Sequence, residues 1–329
     1  MTAAGEGADD SPFEVRSEVE VSRKERYLEL LDRAVIAPLR IALTDWRTLV
    51  GSTIILGYVF VGAVLVRFVD PTEVNEGADL VQPFQSLKFP LGTTATGEDL
   101  FARLVHATPE VLQMSLAGAL FSVFLAIAAG VTAGYVGGIV DRVLSTLIDV
   151  QIAIPGLPLV IVLAVALQPR NPLLIGLILS IDGWPGLARA LRSEVLSVKN
   201  ASYVEAAEIM GDSKASIMLR DVLPNLMPFI GISFMNTART IIFTAVGLSF
   251  LGAIPQNVQN WGLTLQKAYN GLALFNPRAF HWLFFPMLAV IVYSVGLVLI
   301  AQGTDRLFNP RIRARHASTV DDEAGQPGR

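Results

Sequence analysis

The sequence predicts an all-α membrane protein with about six transmembrane helices, and three observations predict it. Only 16% of the 329 residues are charged while 52% are hydrophobic; soluble domains average about 25% charged residues, so the deficit suits a lipid-facing surface. Apolar runs long enough to cross a bilayer recur, free or nearly free of charge. The lysines and arginines between these runs alternate between dense and sparse loops, the pattern that orients membrane segments.

The runs follow in order. Residues 49–66 carry no charge and just cover the roughly 30 Å of hydrocarbon in a bilayer. Residues 111–140 are also uncharged, and exceed what one crossing requires. Residues 143–168 contain one charge, Asp149, and 172–188 contain Asp182. The short link Gln168-Pro169-Arg170-Asn171-Pro172 makes that third and fourth run an antiparallel hairpin. Residues 226–252 contain Arg239, and 283–302 are charge-free. The first apolar run begins near Leu49, too late for a cleavable secretory signal.

Orientation follows from the basic residues. Arg16, Arg23, Lys24, Arg26, Arg33, Arg40 and Arg47 precede the first run. Arg142, Arg189, Arg192, Lys199, Lys214, Arg220, Arg306, Arg311, Arg313 and Arg315 fall on the same side. The opposite loops hold Lys88, Arg103, Arg170, Lys267 and Arg278 beside acids such as Asp70, Glu73, Glu76, Asp79, Glu98 and Asp99. Both termini and the loop around Glu205 are therefore expected to be cytoplasmic. The chain divides into an N-terminal tail (1–48), a membrane domain (49–304) and a C-terminal tail (305–329). Within the N-terminal tail, 23–44 reads as an amphipathic interfacial helix interrupted by Pro38. Within the membrane domain, 67–110 and 253–282 are external loops and 190–225 is the internal one. Trp184, Trp261 and Trp282 are expected at the membrane interfaces, where such rings concentrate.

The internal loop carries the most informative stretch. Ser202-Tyr203-Val204-Glu205-Ala206-Ala207-Glu208-Ile209-Met210-Gly211 reads as a short capped helix. Ser202 and Glu205 have capping-box spacing, and Gly211 sits where a helix ends in a left-handed residue. Such a rod is about 12 Å long and marginal in water alone, so it needs something to dock against. Tyr203, Val204, Ala207, Ile209 and Met210 are its expected exposed surface, and Glu205 can both satisfy the helix N-terminus and reach a basic partner group.

Other chemistry is thinly represented. There are no cysteines, which removes disulfides and thiolate sites. Net charge is −4, too mild to imply a nucleic-acid partner. His106, His281 and His316 are scattered and not at metal-ligand spacing, and no Gly-x4-Gly-Lys-Ser/Thr phosphate loop occurs. Asp149, Asp182 and Arg239 are intramembrane charges, costly in lipid and so candidates for a translocation path or gate. The plainer reading makes them an ion pair or interface lock, with Asp182 and Arg239 the expected pair.

Glu205-Ala206-Ala207, three residues, Gly211, then Leu223-Pro224 resembles the EAA loop of ABC-importer permeases. The resemblance extends through Leu91-Gly92-Thr93, Ala133 to Asp141, Ile154-Pro155, Gly183 to Arg189, Leu248 to Gly252, Trp261-Gly262 and Asn309-Pro310-Arg311. In that order these are similar to the permease subunits of dipeptide/oligopeptide-type importers. The chain departs from the family pattern at Asp221, Thr94, Gly97-Glu98-Asp99, Ala245 and Asn309. The resemblance implies an ATP-driven importer in the cell membrane, with this chain forming half of the path. Tyr203, Val204, Glu205, Ala206, Ala207, Ile209, Gly211, Leu223 and Pro224 would then couple to a separate ATPase. It also implies a second permease, two ATPase subunits that hold ATP and Mg, and a substrate-binding protein, with no cofactor on this chain. Two alternatives compete: an ion-coupled secondary transporter using Asp149, Asp182 and Arg239, and a membrane assembly subunit with no transport role.

Overall fold

A computed structural model describes residues 45–254 and 258–308. The expected interfacial helix at 23–44, most of both tails and Asn309-Pro310-Arg311 lie outside the described residues. Among those described, secondary structure is helical, apart from an isolated bridge between Thr93 and Asp99. Four helices are long and apolar enough to cross a membrane, and up to six crossings result if each of two bent helix pairs counts as one.

The first, α1 (Trp46–Ala63), takes in most of the uncharged run expected there, with Arg47 in its first turn. Its Tyr58 hydroxyl donates to the Ala289 carbonyl at 2.8 Å, tying it to the last helix. The second, α2 (Leu100–Val136), begins well before residue 111, inside the stretch read as an external loop. Asp99 caps it, accepting from the Phe101 N–H at 3.0 Å. Hydropathy hid this start because Arg103, His106 and Glu110 lie in its first three turns. A π turn at Ile127–Val131 interrupts α2 beside α6, and Gly130 there touches the other helix so closely that a Cβ would collide with the Ala188 carbonyl oxygen. At Val136 the chain turns off through Gly137, φ 69°.

The two bent pairs are α3 (Gly138–Ala153) with α4 (Gly156–Leu167), angled at 81°, and α5 (Pro172–Leu179) with α6 (Trp184–Val198), angled at 59°. Pro155 makes the first break, since the residue before a proline is pushed out of the helical region and Ile154 is extended at φ −78°, ψ 127°. The expected hairpin forms at the 168–172 link. Gln168 is left-handed, and Asn171 caps α5 by accepting from the Leu173 N–H at 2.9 Å, with Pro172 in its first turn.

A short helix, α7 (Ser202–Ile209), precedes α8 (Lys214–Phe250). A π turn at Met218–Val222 lies in α8 just before Pro224. A wider turn there accommodates a proline that lacks an N–H and crowds the preceding carbonyls. The expected internal loop at 190–225 is thus largely helical. So is part of the expected external loop at 253–282, where α9 (Trp261–Asn270) is capped by Asn260 accepting from the Leu263 N–H at 2.7 Å. The last helix is α10 (Phe280–Phe308).

Buried side chains form two clusters. The larger draws on α2, α5, α8, α9 and α10 and centres on Trp261, whose ring meets Tyr58 and Tyr293 at 5.3 and 6.0 Å. Trp261 and Trp282 are therefore core residues rather than interface anchors. The smaller cluster lies at the opposite stretch of α2, joining Val131 and Tyr135 to α6, α7 and the start of α8.

Candidate functional site

The smaller cluster is what holds α7. Val204 and Ala207, three apart on one helical face, are buried at 0% and 4% exposure. They were expected on the outer surface and instead anchor the helix inward. Tyr203, Glu205, Ala206 and Glu208 are exposed, and Ile209 and Met210 protrude at 87% and 76%. Leu223 is half-buried and Pro224 exposed where α8 passes beneath. The outward tip of α7 is thus a pair of adjacent apolar side chains with Glu205, Glu208 and Asp212 nearby in sequence.

Its ends differ from each other. At the N-terminus no capping box forms: Ala201 occupies the cap position without a side-chain bond, and its carbonyl accepts from the N–H groups of Val204 and Glu205 at 2.9 and 3.1 Å. Burying Val204 and Ala207 sets this register, which moves Ser202 into the helix. The C-terminus agrees with expectation. Gly211 has φ 85°; its N–H donates to Glu208 O and the Asp212 N–H to Ala207 O, each at 3.1 Å. This is a Schellman closure. A Cβ at Gly211 would meet no atom within 4 Å, so conformation rather than crowding calls for glycine.

Polar ties link α7 to two long helices. The Tyr135 hydroxyl, at the end of α2, donates to Glu208 Oε1 at 3.0 Å. Lys199 Nζ donates to the Tyr135 carbonyl at 2.8 Å and lies 5.7 Å from its ring centroid. Asn225 of α8 donates to the Tyr203 hydroxyl at 3.1 Å. Burial raises the Tyr203 phenol above its usual pKa, and the Asp221 charge adds to this.

The intramembrane charges do not come together. Asp149 on α3 pairs with Arg189 on α6 at 2.5 Å, both side chains being more than half exposed. Asp141 on α3 binds Arg192 at 2.6 and 2.7 Å, so two acids of one helix hold two arginines three apart on another. Asp182 sits in the break between α5 and α6, with its carboxylate against Gly156 at the start of α4. Arg239 is half-buried on α8. Among the described residues no ion pair or hydrogen bond joins any two of Asp149, Asp182 and Arg239. The expected Asp182–Arg239 pair is absent because Asp182 packs against the α3–α4 break. Sequence reasoning missed Tyr135, Lys199, Glu208 and Asn225. The one signal, for Tyr135 alone, was an aromatic residue two positions before the pair Gly137-Gly138.

Several bilayer-length helices with a short surface helix seated at one end define a multi-pass membrane protein. Residues 126–314 match the family described as the binding-protein-dependent transport system inner membrane component. The chain is 31% identical over 263 residues to the dipeptide transport system permease protein DppC of Bacillus subtilis, covering 79% of this chain and 80% of that protein. It is 29% identical over 223 residues to the oligopeptide transport system permease protein OppC of the same organism, covering 68% and 72%. It is 31% identical over 229 residues to the glutathione transport system permease protein GsiD of Pectobacterium atrosepticum, covering 68% and 73%. The chain belongs to the family of binding-protein-dependent transport system inner-membrane components. It is a membrane-located permease subunit of an ABC transporter, with ATP hydrolysis on separate subunits of such systems.

Proposed function

We propose that this chain forms half of the translocation path of an importer for short peptides or peptide-like solutes, and that α7 is where ATPase movement enters it. The names of the relatives, oligopeptide, dipeptide and glutathione permeases, support the cargo class. The single observation that carries the coupling role is the two-faced build of α7. It is anchored inward by Val204 and Ala207 and presents Ile209 and Met210 to a partner groove. Tyr203, Glu205, Ala206 and Gly211 share that exposed side, and Leu223 and Pro224 directly follow the π turn of α8.

In this reading the basic loops, the Glu205 stretch and both termini are cytoplasmic. A second permease completes the path, two ATPase subunits bind ATP and Mg, and a binding protein delivers cargo to the opposite side. ATP and loaded binding protein each favour one state of the permease, which is a coupling free energy between the two sites. The exposed Asp149–Arg189 pair reads as a tie between α3 and α6 and not as an ion relay.

Affinity purification of this chain from mild-detergent membranes tests the reading. Two ATPase subunits and a second permease should co-purify, and Gly211→Val, which strains the Schellman closure, should lose the ATPase at unchanged membrane abundance. A functional homo-oligomer free of ATPase would sink it.

A further inference from the structure

The geometry points to Tyr135 as a positioning residue: its hydrogen bond to Glu208 is the joint through which α7 moves α2. The inference rests on the proposal that α7 receives the ATPase, and it names the next part to move.

Four observations carry it. The Tyr135 side chain is 2% exposed in the cluster that contains Val204 and Ala207, yet its hydroxyl reaches Glu208 on the exposed face of α7 at 3.0 Å. Among the described residues this is the one side-chain hydrogen bond between α7 and α2. A carboxylate acceptor makes it stronger than a neutral pair. Second, the backbone of Tyr135 is held as well. Lys199 Nζ donates to its carbonyl, one of those left unpaired at a helix C-terminus, where a cation is also favoured by the dipole. A push on α7 therefore meets a residue fixed at both its ends.

Third, α2 can yield at one place. The π turn at Ile127–Val131 separates the Thr132–Val136 turn from the rest of the helix, and such turns are irregularities where a helix can shift register. Fourth, the rest of α2 is the element that reaches the other end of the bundle. Its 37 residues span about 55 Å at 1.5 Å per residue. There it is locked: Arg103, 8% exposed, binds Glu98 and donates to the Thr264 hydroxyl at 3.2 Å. Displacement of α7 is thus delivered to Thr132–Val136 and taken up at the π turn. The Tyr203–Asn225 bond is a second tie, to α8, made at exposed side chains.

The test is hydrogen exchange on the complex purified with its ATPase subunits, compared without nucleotide and trapped with ATP and vanadate. In the parent, deuterium uptake across residues 126–136 should differ between the two states. Tyr135→Phe removes the hydroxyl alone and should cut that difference about tenfold, the equivalent of one hydrogen bond to a charged group, with the ATPase still co-purifying. Glu208→Gln keeps an acceptor oxygen without the charge and should preserve part of the difference. Glu208→Ala should match Tyr135→Phe and carries the test by itself if Tyr135→Phe lowers abundance; the double variant should be no worse than either. A full ATP-dependent difference in Tyr135→Phe, additive losses in the double variant, or a parent whose 126–136 uptake ignores ATP would each overturn the joint. Absence of ATPase from the parent complex is a separate result, which would remove the driver and overturn the docking reading with it.

Discussion

The two ends of the bundle are built on opposite plans. Around α7, apolar burial does the anchoring, polar ties are few, and Ile209 and Met210 stand exposed. At the other end, polar groups, several of them buried, cross-link distant segments. Arg103 binds Glu98 and Thr264, a His281 ring nitrogen meets the Thr93 carbonyl at 2.9 Å, and Gln82 donates to the Arg278 carbonyl at 2.7 Å. Ser249 adds a bond to Asn260 at 3.1 Å, buried beneath α9. The first end leaves apolar side chains exposed, whereas the second turns many of its polar side chains inward onto groups of the same chain. Substitutions should therefore act on association at the α7 end and on stability at the other.

The largest expected effect is at the locked end. Arg103→Ala leaves Glu98 without its partner in a buried site and should destabilise the protein by about 3–5 kcal/mol, the range for breaking a buried pair. Thermal unfolding of the purified protein measures it, and an unchanged Tm would mean that this end is no more rigid than α7. Next comes a matched pair on α7. Val204→Asp puts a charge into the apolar cluster and should lose folded protein outright. Ile209→Asp should stay within about 0.5 kcal/mol of wild-type stability, as exposed substitutions do, yet fail to retain the ATPase. Equal effects of the two on stability would erase the two faces assigned to this helix.

Smaller changes sharpen the contrast. Gly211→Ala meets no steric obstacle, so it should cost only the left-handed conformation, about 1–2 kcal/mol, read as faster hydrogen exchange confined to 202–212. A clash-like loss of fold would contradict that. Asp99→Asn should be the mildest. Burial raises the Asp99 pKa, against the pull of the Phe101 and Ala102 N–H groups. Its folded form therefore holds the proton more tightly than the unfolded chain. The penalty is absent below the unfolded value and full above the folded one. Asparagine keeps the cap and removes the charge, so the variant should equal or exceed wild-type stability at neutral pH and lose that margin in acid. A variant weaker than wild type at neutral pH would mean that the charge itself serves the helix.

What was legible in the sequence divides along the same line. The runs at 49–66 and 283–302 became α1 and the core of α10, since a lipid surroundings asks only for apolar composition over a sufficient length. Gly211 was readable because one backbone conformation dictates one residue. The start of α2 was not, because Arg103 and Glu110 lower the hydropathy of its first turns. Their tolerance depends on groups far away in sequence, such as Thr264, 161 residues on. The register of α7 was missed for a related reason. Burial of Val204 and Ala207 overrode the capping preference of Ser202, and nothing local says which face a short helix turns inward. Ion pairing failed likewise: Asp182 and Arg239 were the expected partners, while Asp149 found Arg189 and Asp141 found Arg192 because α3 lies along α6.

The most direct test of the outward face of α7 is photo-cross-linking in intact membranes, with a benzophenone amino acid placed at residue 209 or, in a parallel variant, at residue 204. The account predicts an adduct between residue 209 and an ABC ATPase subunit, formed from the cytoplasmic side, and only intramolecular products from 204. No ATPase adduct from 209, or an equal one from 204, would contradict it.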